Sequence, residues 1–308
     1  MCRGCGGAWR SEGFSGWSPG ETRGMNRQRS AAVARPVKAA RVASGAAARG
    51  DRRTAEPPSA LVARPGGRAS ALAGRLAGLP PLVAFILTTL IGYALLAAAA
   101  IGLGFLLVDV LLPVHAIGHS DEAVNQWLAD NRSGSLSDAS YIGSSLGDIP
   151  FIPGLVILAG LAAALLRRWR AFGLIVGAIL VELATYRLTS LIVHRQRPDV
   201  PRMDHLPVNQ SYPSGHVAAS VVVYIGLALL LTPHVRSRGL RIALWALAVA
   251  LPLAVAISRM YRGMHHPIDA TAGVLIGLGA LAIAIAADRV AGDVARRRAS
   301  AADAGVPA

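Results

Sequence analysis

Six apolar stretches leave this chain few ways to fold. They run from about Pro81 to Leu112, Ile149 to Leu166, Ala171 to Val193, Val217 to Leu231, Leu240 to Ile257 and Pro267 to Ala287. About 20 apolar residues cross a bilayer as a helix, and a segment in lipid has to satisfy its own backbone hydrogen bonds. Only 5% of the 308 residues are aromatic although 53% are apolar, so the apolar mass is Ala, Leu, Val, Ile and Gly. Glycines such as Gly273, Gly277 and Gly279 let neighbouring helices approach closely. The pattern predicts an all-α, polytopic membrane protein: a six-transmembrane-helix bundle over residues 80–287, between a basic N-terminal tail (1–79) and a short C-terminal tail (288–308).

The formal charge of +14 raises the question of nucleic acid, and the distribution of charge answers it. Residues 1–79 hold 14 basic and 4 acidic side chains, against 13 and 10 in residues 80–287. The excess belongs to a segment rich in Arg, Gly, Ala, Ser and Pro, with no sustained hydrophobic period, which is expected to be disordered. It reads as a solvated tail, or as an extension ahead of an initiator at Met25; its partner, if any, is anionic lipid headgroups, with no nucleic acid implied. Cys2 and Cys5 form a lone Cys-x-x-Cys in this tail, a weak metal signal. No secretory signal is read at the N-terminus, because the first sufficiently long apolar run starts near Leu79 and suits a span better than a cleaved segment.

Arginine placement orients the bundle. Arg167, Arg168 and Arg170 follow the second run, Arg236, Arg238 and Arg241 follow the fourth, and Arg296, Arg297 and Arg298 lie in the C-terminal tail. These links and both termini are expected on the cytoplasmic side of the cell membrane, and the links after runs one, three and five on the outer side. In the first outer link, Ser120 as N-cap with Asp121 and Glu122 in the first turn predicts a short amphipathic interfacial helix. Trp127 would be its anchor.

The other two outer links carry chemistry. One reads His194-Arg195-Gln196-Arg197-Pro198 and ends in Pro213-Ser214-Gly215-His216; the other contains Ser258-Arg259, His265 and Asp269. Arg197 and Arg259 are forked donors suited to a tetrahedral oxyanion, and Ser214 with the Gly215 N–H stands where a helix N-terminus offers free donors. His265 and Asp269 are four apart, so a helix starting near Pro267 lets the carboxylate orient the imidazole. Together they supply the parts for phosphoryl transfer. His265 attacks phosphorus, Asp269 fixes its tautomer, and His216 protonates the leaving oxygen and then activates water, while the arginines, Ser214 and Gly215 stabilise the equatorial oxygens. The carboxylates are too few and scattered for a di-metal site, so neither metal nor cofactor is expected.

This set of motifs resembles the type-2 phosphatidic acid phosphatase superfamily, which also contains the soluble vanadium haloperoxidases. Arg-Pro, Pro-Ser-Gly-His and Ser-Arg-x5-His-x3-Asp match its three-part signature over roughly residues 80–287. The resemblance implies that His265 is the nucleophile, His216 the acid/base and Asp269 the orienter, with Arg197, Ser214, Gly215 and Arg259 binding phosphate. The family's first motif is Lys-x6-Arg-Pro, and Ser190 stands where the lysine belongs. Lys38 is the only lysine, so Arg195 is taken as the replacement charge. The resemblance implies a membrane lipid phosphatase acting on a lipid phosphomonoester or diphosphate. An Ala- and Arg-rich chain of this kind points to a G+C-rich bacterium, where polyprenyl (undecaprenyl) diphosphate, phosphatidic acid and phosphatidylglycerol phosphate are the substrates to consider. The other reading is a lipid-phosphate binding or transport protein that lost hydrolysis with the lysine. Asp199, Asp204 and His205 read as loop-solvating groups, His266 as a neighbour rather than a ligand, and Glu182 and Arg187 as intramembrane ions with partners on another helix.

Overall fold

A computed structural model describes residues 61–148, 151–205 and 207–304, which form helices and connecting loops. The elements are α1 (Arg68–Arg75), α2 (Pro81–Phe105, extended by a π-helical turn, Leu106–Leu111), α3 (His115–Asp130), α4 (Gly134–Ser145) and α5 (Phe151–Leu165). They continue with α6 (Trp169–Ile192), α7 (Gly215–Leu231), α8 (Arg238–Tyr261) and α9 (Pro267–Asp303).

Five of these segments are long and apolar enough to cross a bilayer: α2 with its π turn, α6, α7 with the short turn after it, α8 and α9. The second apolar run differs from expectation, because α5 has only 15 residues. That is about 22 Å of helix against a hydrocarbon core of about 30 Å. Its helix is not continued beyond the Arg167–Arg168 turn, where Arg167 adopts a positive φ of 56°.

The long α9 is the axis of the bundle and packs against α2, α7 and α6. Leu174, Ala178 and Val181 of α6, Val222 and Leu230 of α7, and Ala280, Leu281 and Ala284 of α9 share one apolar core. Small residues set the α7–α9 spacing: a Cβ on Gly273 would lie 2.5 Å from the Ser214 carbonyl oxygen, and one on Gly277 would lie 2.6 Å from that of Ala218. This contact brings the start of α7, with Ser214 and His216, against the start of α9, with Asp269.

Both expected tails contain helix. Within the stretch expected to be disordered, α1 buries Ala73 against Ala84, Val290 and Val294, while residues 1–60 lie outside the described ones. At the other end α9 runs on to Asp303 instead of stopping at Ala287. Arg170 of α6 reaches Asp288 of α9 at 2.6 Å and also donates to the Leu61 carbonyl, so three separate segments meet there.

The interfacial helix begins earlier than its sequence signal. α3 starts at His115, with Val114 as N-cap and no side-chain cap. Ser120 is inside the helix, its hydroxyl bonded to the Ala116 and Ile117 carbonyls. Asp121 and Asn125, one turn apart, are its buried residues and face the loop that precedes α9.

Candidate active site

The two polar links converge at the N-termini of α7 and α9. The loop before α9 is fixed at both ends by side chains from elsewhere. Asn125 of α3 donates to the Met260 and His265 carbonyls at 3.1 and 3.0 Å, and Arg132 donates to the Tyr261 carbonyl at 2.8 Å. Gly263 takes a φ of 70°, which favours glycine, and a Cβ there would lie 2.8 Å from Val200.

His265 sits in this loop, 3% exposed. Its Nδ1 lies 2.7 Å from the Ser211 carbonyl; pairing with an acceptor means Nδ1 carries the proton and Nε2 is the free lone pair. Burial, then the positive charges of Arg259 and Arg197, hold its pKa well below the usual histidine value, so it stays neutral. His216 stands at the start of α7, and its Nε2 lies 2.7 Å from Asp148.

The expected His265–Asp269 hydrogen bond is replaced by a different arrangement. Asp269 Oδ2 accepts from the Ser211 hydroxyl at 2.6 Å and from the His266 N–H at 2.9 Å, and Oδ1 accepts from Arg195. Ser211 is therefore the link between the two, with its hydroxyl on Asp269 and its carbonyl on His265. His266 is a buried neighbour of the same carboxylate: its Nδ1 lies 3.2 Å from Asp269 and its Nε2 lies 2.9 Å from Glu122.

Arg195 also departs from expectation. One terminal nitrogen donates to Asp269 and the other to Asp121, so its fork is spent on two buried carboxylates and is not offered to a phosphate. Asp121 in addition accepts from the Ile268 N–H at 3.0 Å. Ser190, at the lysine position, bonds only to the Arg187 carbonyl of its own turn, and Arg187 is exposed. The missing lysine charge thus has no direct substitute among these residues.

Arg197 braces the loops: its nitrogens donate to the Pro207, Met264 and Gln210 carbonyls. Burial, followed by the Arg259 charge, lowers its pKa to about 10, which leaves it cationic at neutral pH. Arg259 is different. Its Nη1 contacts Ser144 at 2.9 Å and Asp204 at 3.0 Å, while buried Nε and Nη2 have no partner among the described residues. The Ser214 hydroxyl is likewise buried without a partner, and no side chain caps α7. Leaving such donors unmet costs about 1–3 kcal/mol each, more when charged. Orphans that gather beside a helix N-terminus and a neutral histidine describe a place for an anion.

Residues 156–291, which include every motif position named above, match the model of the PAP2 superfamily. Over this stretch the chain is similar to the PAP2 superfamily. Phosphatidylglycerophosphatase B of Bacillus subtilis is 27% identical over 181 residues, covering 56% of this chain and 86% of that protein. Decaprenylphosphoryl-5-phosphoribose phosphatase of Mycobacterium tuberculosis is 36% identical over 128 residues, covering 40% of this chain and 66% of the relative. The fold is similar to the crystal structure of a transmembrane PAP2-type phosphatidylglycerolphosphate phosphatase from Bacillus subtilis. There the TM-score is 0.52 at 22% identity, over 66% of this chain and 93% of that one. The residues that the motifs left unnamed are Asp121, Glu122, Asn125, Ser144 and Asp148, which precede the matched stretch, and Ser211, Asp204 and Arg262 within it. Among the described residues no group of three His, Cys, Asp or Glu side chains is arranged to hold a metal ion.

Proposed function

We propose that this protein is an integral-membrane lipid phosphatase that transfers the phosphoryl group of a lipid phosphomonoester or diphosphate to His265 and then to water. The observation that carries the reading is the set of unpartnered buried donors, Arg259 Nε and Nη2 with Ser214 Oγ, beside His265 and His216. The phosphatases among its relatives support it. The phosphate enters this gap, and its equatorial oxygens take up the orphaned donors and the free N–H groups at the start of α7. The His265 Nε2 lone pair attacks phosphorus, and the bond from phosphorus to the leaving oxygen breaks. His216, held by Asp148, gives that oxygen its proton. In the second half His216 takes a proton from water, the hydroxide displaces His265, and orthophosphate leaves. Each charge in this cycle is met by a side chain or a backbone N–H, so no metal is required.

With the short α5 as a sixth crossing, the Arg-rich links and tails favour both termini in the cytoplasm and the site on the outer side, near the interface, where a headgroup reaches it while its tails stay in lipid. Phosphatidylglycerol phosphate, polyprenyl-linked phosphates and phosphatidic acid are the substrates to test.

Phosphate release by the purified protein should persist in excess chelator and fall at least about 1,000-fold in His265→Ala, as loss of a nucleophile does. Release that survives His265→Ala, or that chelator abolishes, would overturn the mechanism; no release from any lipid phosphate would favour a binding or transport role.

A further inference from the structure

The Arg259 guanidinium has a second face. On the side away from its orphaned nitrogens, Nη1 meets the carboxylate of Asp204, and the same carboxylate is gripped by Arg262, whose Nε lies 3.1 Å from both Asp204 oxygens. Both arginines are more than nine-tenths buried. Arg262 is further fixed by Tyr141, whose ring centroid is 5.7 Å away. Asp204 is the more exposed partner: it sits on the irregular loop between α6 and α7, a quarter of its side chain exposed.

A carboxylate held by one arginine fork and by the edge of another has the shape and charge of a bound phosphoryl oxygen pair. Resting on the proposed phosphatase activity, we infer that Arg262 and Arg259 Nη1 form a second anion subsite, that it takes a second phosphoryl group of the substrate, and that Asp204 fills it and so selects against diphosphates. Three observations support this. The subsite shares Arg259 with the gap assigned to the reacting phosphate, so two linked phosphates can span it. Arg259 Nη1, which meets Asp204, also meets Ser144 at 2.9 Å, four residues before the Asp148 that holds His216, the proposed leaving-group acid, so the subsite neighbours the leaving-group side. Asp204 carries the charge sign that a diphosphate would bring there, so occupancy by one excludes the other. Attack on the terminal phosphorus of a lipid diphosphate would break the bridging P–O bond and leave a lipid monophosphate, whose charge Arg262 would then meet.

The test compares farnesyl phosphate with farnesyl diphosphate, which share one alcohol, using the full-length protein in detergent. Wild type should prefer the monophosphate in kcat/KM. Asp204→Asn should raise the diphosphate-to-monophosphate ratio by about 10-fold or more, and adding Arg262→Gln should abolish the gain. Asp204→Ser serves if the amide variant is poorly folded. An unchanged or lower ratio in both Asp204 variants, with the two activities falling together, would make Asp204 only a brace for Arg259 and overturn the subsite. Calorimetric binding of inorganic pyrophosphate against orthophosphate reads the subsite without turnover: Asp204→Asn should shift that preference toward pyrophosphate by a similar factor, and no shift overturns the inference. Shifted binding with no lipid hydrolysis by wild type would retain the subsite and discard the phosphatase reading. Hydrolysis without either shift would do the reverse.

Discussion

At the scale of single residues, the site separates side chains with unmet donors from those whose polar atoms are fully engaged. Arg259 and Ser214 keep donors free; Arg195, Arg197, Ser211 and His266 have theirs occupied. Motif spacing singled out the two histidines, Arg259 and Ser214, and its place in the loop singled out Arg195, whose fork lies on two carboxylates. A positive residue near a missing lysine looks like a substitute until its two carboxylate partners, Asp121 and Asp269, are located 74 residues away on either side. The low pKa of His265 has a kinetic consequence. Attack needs the neutral imidazole; in an unfolded chain histidine is half protonated near pH 6.5, and here burial and the two arginines move that point down. The acid limb of the kcat/KM profile should therefore lie below pH 6.5, and a limb at or above that value would show that His265 is not the group that must be neutral. The linkage has the matching sign: the depressed value contributes stability above pH 6.5 that is lost as pH falls and the unfolded chain takes up the proton.

Element boundaries were legible where apolarity alone decides them and illegible where distant partners do. The starts of α7 and α9 were readable from Pro213-Ser214-Gly215 and Pro267, since proline and a capping residue act locally. The start of α3 was not, because Ser120 looks like a cap in sequence and is bonded within the helix. Asp121 is read by no motif, since its role is to join α3 to Arg195 and to the first turn of α9. Replacing it by Ala would strand Arg195 in a buried place, at a cost of about 3 kcal/mol. Thermal unfolding should register this, together with a kcat reduced by tenfold or more as α9 shifts; unaltered stability would mean that Arg195 finds water or another acceptor. The α7–α9 contact makes a sharper case. In Gly273→Ala the new methyl group would meet the Ser214 carbonyl oxygen at 2.5 Å, and backbone cannot step aside as a flexible side chain can. Overpacking of this sort costs about 1–3 kcal/mol, and here the displaced atom belongs to the residue whose hydroxyl is proposed to receive phosphate. Turnover should fall about 100-fold, whereas Gly279→Ala, which meets only the end of the Leu96 side chain, should be nearly silent in activity.

For the whole molecule, hydropathy conveyed an all-helical membrane bundle because lipid permits little else, and it missed what lies outside the apolar runs. Helix α1 and the last turns of α9 are built from Ala, Arg and Ser, a composition shared with solvated tails; what orders them is mutual packing, which no local signal records. Ala73 meets Val290 and Val294 across more than 200 residues of sequence. The same separation sets the last prediction. Asp269 and Asp288 are 19 positions apart on one helix, about 28 Å, so the catalytic end and the α1 end stand nearly a hydrocarbon thickness apart. Deleting residues 1–76 removes the Leu61 carbonyl from Arg170, the Ser70 contacts from Arg297 and the apolar cover over Val290 and Val294. None of the described residues it removes bonds to or packs against His265. The truncated protein should unfold several degrees lower, while its kcat per folded molecule stays within about twofold of wild type, because substitutions with no shared partners act independently. A fall in kcat at unchanged folded fraction would mean that α9 carries strain along its length from one membrane face to the other, and would make the α1 docking site part of the catalytic apparatus.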